Sequence, residues 1–105
     1  MKAETLKGHL DFLLLSTLRR GPLHGYGVVE ALRERSGGSF DLAEGTVYPA
    51  LHRLEHAGLL ASRWTEVAGR RRRTYRLTPR GAQALEQRQS EWRLFAGAVN
   101  AVAGA

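Results

Sequence analysis

Cysteine is absent from all 105 residues. That absence removes disulfides, thiolate zinc sites, cysteine nucleophiles and thiol redox sensing together. Long hydrophobic runs are missing as well. The densest apolar stretch, Phe12-Leu13-Leu14-Leu15, is far too short for a membrane span or a secretory core. With the polar segment from Met1 to Gly8, it leads us to expect a soluble, untargeted, cytoplasmic protein that does not engage membranes. There is no Gly-rich phosphate loop, no Ser-centred elbow and no helically justified carboxylate pair, so the chain reads as a non-enzyme with no catalytic residue and no cofactor. Acids are scarce: ten Asp and Glu against sixteen Lys and Arg leave a net charge of +6. Hydrophobic residues make up 43%, enough for the modest core of one small domain, and the charge imbalance points that domain at a polyanion.

Residues 41–78 carry most of the information. In the run from Glu44 to Ala57, Val47, Leu51 and Leu54 recur at i, i+4 and i+7 and fall on one side of a helix. The opposite side collects Gly45, Thr46, Pro49, His52, Arg53 and His56, with Tyr48 at its edge and the two glutamates toward the flanks. No carboxylate points straight outward, which suits a helix lying in the major groove between phosphate walls. Pro49 removes the bond to the carbonyl of Gly45, so an irregular or 3₁₀ first turn is expected.

The following residues alternate. Leu60, Ser62 and Trp64 share one face, as do Arg73, Tyr75 and Leu77 in a second run, and Ala68-Gly69 lies between the two runs. This is a β-hairpin. Arg70, Arg71, Arg72 and Arg73 crowd its tip and upper second strand, with Arg63 and Arg76 lower down and only Glu66 as counter-charge. Such self-repelling charge does little for folding, but against phosphates it becomes favourable because condensed counterions are released. A tip arginine can also enter the minor groove. Three other readings compete: a solubilising loop tip, an acidic protein partner, and an anionic membrane surface. The last lacks the broad apolar face of an interfacial helix.

Upstream, a buried first helix is expected over His9 to Arg20, ended by Gly21-Pro22. A second helix is expected over His24 to Arg35, with Tyr26, Val29 and Leu32 toward the core and a first turn weakened by Gly25 and Gly27. Phe40 and Leu42 are expected anchors before the recognition helix. Downstream, Thr78-Pro79 starts a last helix running to about Val102, with Thr78 as N-cap and Gly58 closing the preceding helix. Its residues Leu85, Trp92, Phe95, Val99 and Val102 are spaced seven, three, four and three apart, a heptad-like seam. A helix of roughly 35 Å would overhang so small a core. Part of the seam could fold back on the first helix, but homodimerisation, with Leu10 and Leu14 of the first helix as further candidate contacts, is the economical cover, and a two-fold dimer suits palindromic DNA. The fold class is therefore mainly α with a small β-hairpin. A winged helix-turn-helix occupies 1–78 and a dimerisation helix 79–105. His52 and His56 stand at i, i+4, but without cysteine or a third ligand no metal is assigned.

These segments resemble the PadR family of bacterial transcriptional regulators. The resemblance rests on Leu6-Lys7-Gly8-His9-Leu10-Asp11, on Gly21-Pro22-Leu23-His24-Gly25-Tyr26, on Glu44 to Glu55 with Gly58-Leu59-Leu60, and on Arg72 to Thr78 with Gly81. It implies a dimeric repressor that leaves a double-stranded operator when an effector binds, dimerising through the last and first helices as in the short subfamily. It maps Gly45, Thr46, Tyr48, Pro49, His52 and Arg53 onto the DNA-reading helix, with Tyr48 as a phosphate or sugar contact, and Arg70 to Arg73 onto the wing. It also makes Trp92, with Phe95, Phe12 and Leu13, a candidate lining for a hydrophobic or aromatic small-molecule effector, against the alternative of plain packing. Two departures stand out. Gly27 replaces a larger residue, implying a looser second helix, and the short tail from Ala101 to Ala105 implies less dimer contact.

Overall fold

The structure, a computed structural model, describes Leu6 and residues 8–104. Lys7 of the N-terminal signature and Ala105 of the tail lie outside the described residues, as does the segment 1–5. In chain order the elements are α1 (Leu10–Thr17), a 3₁₀ turn (Leu18–Arg20), β1 (Leu23–His24), α2 (Gly25–Arg35), α3 (Glu44–His56), β2 (Leu60–Val67), β3 (Arg70–Leu77) and α4 (Pro79–Ala103). The three strands form one antiparallel sheet in the order β1-β3-β2. This is a winged helix with a long C-terminal helix.

The core gathers one face from every layer. Leu14, Leu15 and Leu18 come from the first helical segment, Val28, Val29 and Leu32 from α2, Val47, Ala50, Leu51 and Leu54 from α3, Leu60 and Tyr75 from the sheet, and Leu85 from α4. The apolar spacing read in α3 is the spacing that is buried. In α2 the reading needs correction: Tyr26 is 45% exposed, and Val28 takes the central inward position. Gly25, Val28, Val29 and Leu32 cluster on one side at about 100° per residue, and Tyr26 falls well off that side.

Local rules account for the boundaries. The first helix tightens into 3₁₀ at Leu18 instead of running on as α to Arg20. His24 is not helical: its Nδ1 accepts the Gly27 N–H at 3.0 Å, making it the N-cap of α2, while its backbone pairs with Thr74. That cap fixes the turn which the glycines were expected to loosen. Pro49 sits inside a continuous α-helix, not a 3₁₀ turn, and Gly45, whose carbonyl loses its partner, is exposed to water. The hairpin closes over two residues, Ala68 (φ 52) and Gly69 (φ 77), both left-handed as a two-residue turn of this twist requires.

Thr78 alone separates β3 from α4. Its hydroxyl donates to the Gly58 carbonyl at 2.7 Å and accepts the Gly81 N–H at 3.0 Å, and its backbone N–H bonds Leu59. A Cβ on Gly81 would lie 1.9 Å from the Leu59 carbonyl oxygen, so only glycine lets the helix seat there. From this joint α4 packs on α1 and then projects. The radius of gyration is 14.8 Å, against about 13 Å for a compact chain of this size.

Candidate nucleic-acid interface

The outer face of α3 meets the hairpin across a cleft of about 550 Å³, walled by Tyr48 and His52 of α3, by Trp64, Tyr75 and Arg70 to Arg73 of the sheet, and by His24, Gly25 and Tyr26 at the start of α2. No carboxylate lines it. Gly45, Thr46, Tyr48, Pro49, His52, Arg53 and His56 are all exposed. The Tyr48 ring lies on the first turn of α2, where a Cβ at Gly25 would come within 2.6 Å of its edge. Gly25 therefore makes room for Tyr48 where α3 meets α2. The His52 ring lies 6.4 Å from that of Tyr75, tying the middle of α3 to the sheet. Burial pushes the Tyr48 and Tyr75 phenols above their ordinary range, so both stay protonated near neutral pH.

The wing arginines are not equivalent. Arg73 is held from three sides: its Nε donates to the Ser62 hydroxyl at 2.8 Å, its Nη2 lies 3.6 Å from the Glu55 carboxylate, and its guanidinium carbon stands 5.5 Å from the Trp64 ring centre. Ser62 in turn donates to Glu55. Glu55, on the flank of α3, thus supplies the counter-charge expected from Glu66, which stands opposite Arg71 in register but forms no ion pair among the described residues. Arg71 also meets the Trp64 ring, its guanidinium carbon 5.1 Å from the ring centre. Arg72 points to the opposite face, its Nη1 3.1 Å from His24 Nε2. With Nδ1 committed to the Gly27 N–H, the ring's own N–H belongs on Nε2. Arg72 therefore finds its acceptor on His24 at Nδ1, 3.5 Å from Nη1 and already shared with Gly27, and its guanidinium has no ion pair among the described residues.

Arg53 departs from the outward-reading residue expected of it. Its guanidinium grips Asp11 of α1 with two hydrogen bonds, 2.6 and 2.9 Å. The Arg53 bond holds the Asp11 carboxyl below its usual range against a smaller opposing effect of burial. The periodicity of α3 alone could not find this pair, because Asp11 lies 42 residues upstream.

The dimer and effector candidates separate. Leu14 is fully buried and Leu85 is 3% exposed, so both are spent inside the protomer and offer nothing to a second copy. Leu10 is half-buried. Trp92, Phe95, Val99 and Val102 continue the Leu85 stripe outward and are bare, Phe95 at 59% and Val102 at 91% exposure. Leu94, also bare, faces the other side of α4. Phe12, Trp92 and Phe95 do come together, with His9 and Arg88, around a cleft of about 200 Å³. The Trp92 ring meets His9 edge-on at 5.9 Å. Leu13 does not join them, because it turns to a separate cleft beside Phe40 and Arg35. His52 and His56 have no metal-binding neighbours: among the described residues no group of three or more His, Asp or Glu converges. No helix among them is long and apolar enough to cross a membrane.

Known proteins share this fold. A solved PadR family transcription regulator from Clostridium difficile is 36% identical, with a TM-score of 0.82 over 90% of this chain and 98% of that one. The transcriptional regulator Rv3488 of Mycobacterium tuberculosis is 49% identical over 55 residues, a match that spans 52% of this chain and 51% of that protein. Bacillus subtilis PadR, solved in complex with operator DNA, is 29% identical with a TM-score of 0.68 over 74% of this chain and 45% of that one. Residues 14–87, which include α2, α3, the wing and the Gly81 joint, match the Transcriptional regulator PadR-like family, and this chain belongs to it.

Proposed function

We propose that this chain is a dimeric transcriptional repressor that binds a palindromic operator in double-stranded DNA. The observation that carries this reading is the carboxylate-free cleft in which the outer face of α3 and the Arg70 to Arg73 wing converge. In it, α3 enters the major groove with Gly45, Thr46, Pro49 and His52 near the bases, Tyr48 donates to a phosphate or sugar, and Arg70, Arg71 and Arg72 neutralise phosphates. Arg73 shares itself between Glu55 and the DNA, and Arg53 has to exchange Asp11 for a DNA acceptor in order to contact it. The bare seam of Trp92, Phe95, Val99 and Val102, with Leu10 beside it, joins two copies so that two α3 helices meet two half-sites. The Phe12, Trp92 and Phe95 cleft lies at the edge of that seam and offers a hydrophobic or aromatic effector a place from which to change the dimer.

The test is the salt dependence of binding to duplexes selected by the purified protein. With about six phosphates neutralised per dimer, log K falls against log salt with a slope near −5, and the selected sequences are palindromic. No binding to any duplex at low salt refutes this reading and leaves an acidic protein partner as the ligand of the wing.

A further inference from the structure

Trp64 is 56% exposed, on a strand face whose residues further from the tip, Leu60 and Ser62, are buried and half-buried. Core packing does not explain a large ring placed there. Its surroundings do. Trp64 stands directly opposite Arg73 in the hairpin register, and Arg71, two residues toward the tip, shares that face. Both guanidinium carbons lie within the 6 Å range in which an aromatic face attracts a cation, at 5.1 and 5.5 Å.

We propose that Trp64 is a positioning residue for DNA capture, holding the guanidiniums of Arg71 and Arg73 in the arrangement in which the wing meets phosphates. The inference rests on the DNA-binding reading above and deepens it. Neighbouring arginines repel one another, and each is a long side chain whose freedom is lost on binding. A carboxylate could order them, but it would cancel their charge and occupy the donors that phosphate needs. An indole attracts them through its ring face and leaves the N–H groups at the guanidinium edge unspent. Arg71 is ordered in this way without an ion pair among the described residues, and Arg73 is ordered jointly with Ser62 and Glu55.

The experiment compares Trp64→Ala and Trp64→Phe, each in the full chain and in a background carrying Arg71→Ala with Arg73→Ala, by titrating a labelled duplex at several salt concentrations. Trp64→Ala is expected to weaken binding about tenfold on selected and scrambled duplexes alike, the scale set by freezing two long side chains. The salt slope should not change, because the phosphate partners are the same in number. Trp64→Phe should restore most of the loss. In the background lacking both arginines, at low salt, Trp64→Ala should cost nothing further. An equal loss with and without the arginines shows a ring that merely supports the hairpin and overturns the proposal, as does Trp64→Ala binding like the unmodified protein. If the unmodified protein binds no duplex, the DNA reading falls and takes this inference with it. Binding that is insensitive to Trp64 sinks the inference alone.

Discussion

Two surfaces of this protomer are left bare, and they are chemical opposites. The outer face of α3 with the wing exposes Tyr48, His52 and a run of arginines, while the outer turns of α4 expose Trp92, Leu94, Phe95, Val99 and Val102. The first surface is charged and polar around the exposed Trp64 ring, and negative charge brought to it relieves the repulsion among its arginines. The second keeps apolar area in water, which is unfavourable at roughly 25 cal/mol per Å² until something covers it. The α4 seam makes the contrast within one helix: Leu85 and Trp92 lie on the same stripe, yet the inner residue is covered by the chain's own core and the outer one is not. Exposure alone does not say what a surface is for. The chemistry that is exposed distinguishes a partner that is polyanionic from one that is itself apolar.

Both surfaces hang on one framework, and the severest way to break the comparison is to unseat α4. Gly81→Ala puts a methyl group 1.9 Å from the Leu59 carbonyl oxygen, and we expect a loss of about 4 kcal/mol in urea unfolding, enough to endanger both surfaces together. A loss under about 1 kcal/mol would mean that the joint is not tight. Next in size, Phe95→Asp should leave the protomer as stable as before while weakening self-association about a hundredfold in sedimentation, because it places a charge where apolar contact is needed. Unaltered association would remove the seam from the dimer. On the opposite surface, Arg71→Ala combined with Arg72→Ala should flatten the salt slope from near −5 toward about −2, since each lost phosphate contact removes about 0.9. An unchanged slope would show that the wing touches no phosphate.

The smallest effect concerns Arg53, the residue of α3 that is paired with α1. Because the folded Asp11 carboxyl is held below its unfolded value near about 3.9, the Arg53 pair stabilises above that pH and its contribution disappears as the pH falls through the folded value. The pair is largely exposed. We therefore expect Asp11→Asn to cost only about 0.5–1 kcal/mol at pH 7 and less at pH 3, where protonation of the unfolded chain has begun to remove the advantage, measured by urea unfolding at both. An equal cost at both pH values would show that charge is not what the pair contributes.

Much of this architecture was legible in the residues. The i, i+4, i+7 stripe of α3, the alternation of the hairpin and the Thr78-Pro79 start each encode their element locally, and each is found where its pattern puts it. What escaped depends on distance along the chain. The β1 strand has two residues and exists only because β3 offers it an edge. Asp11 pairs across 42 residues, and Glu55 reaches the wing through Ser62, neither of which a local period can announce. Tyr26 was misplaced because it sits at i−3 from Val29, a spacing that also fits a core face, while Val28 decides the true inward direction. Trp64 was within reach: counting back from the Ala68-Gly69 turn sets it opposite Arg73, and the ring shares a face with two arginines.

The single-residue join at Thr78 has a mechanical consequence. A strand that passes into a helix through one capped residue held by three hydrogen bonds leaves no loop to act as a hinge, so α4 is anchored to the winged-helix body at its root. Should two copies join as proposed, a pull on the far end of α4 loads this joint and, through it, the Gly58-Leu59 turn that closes α3.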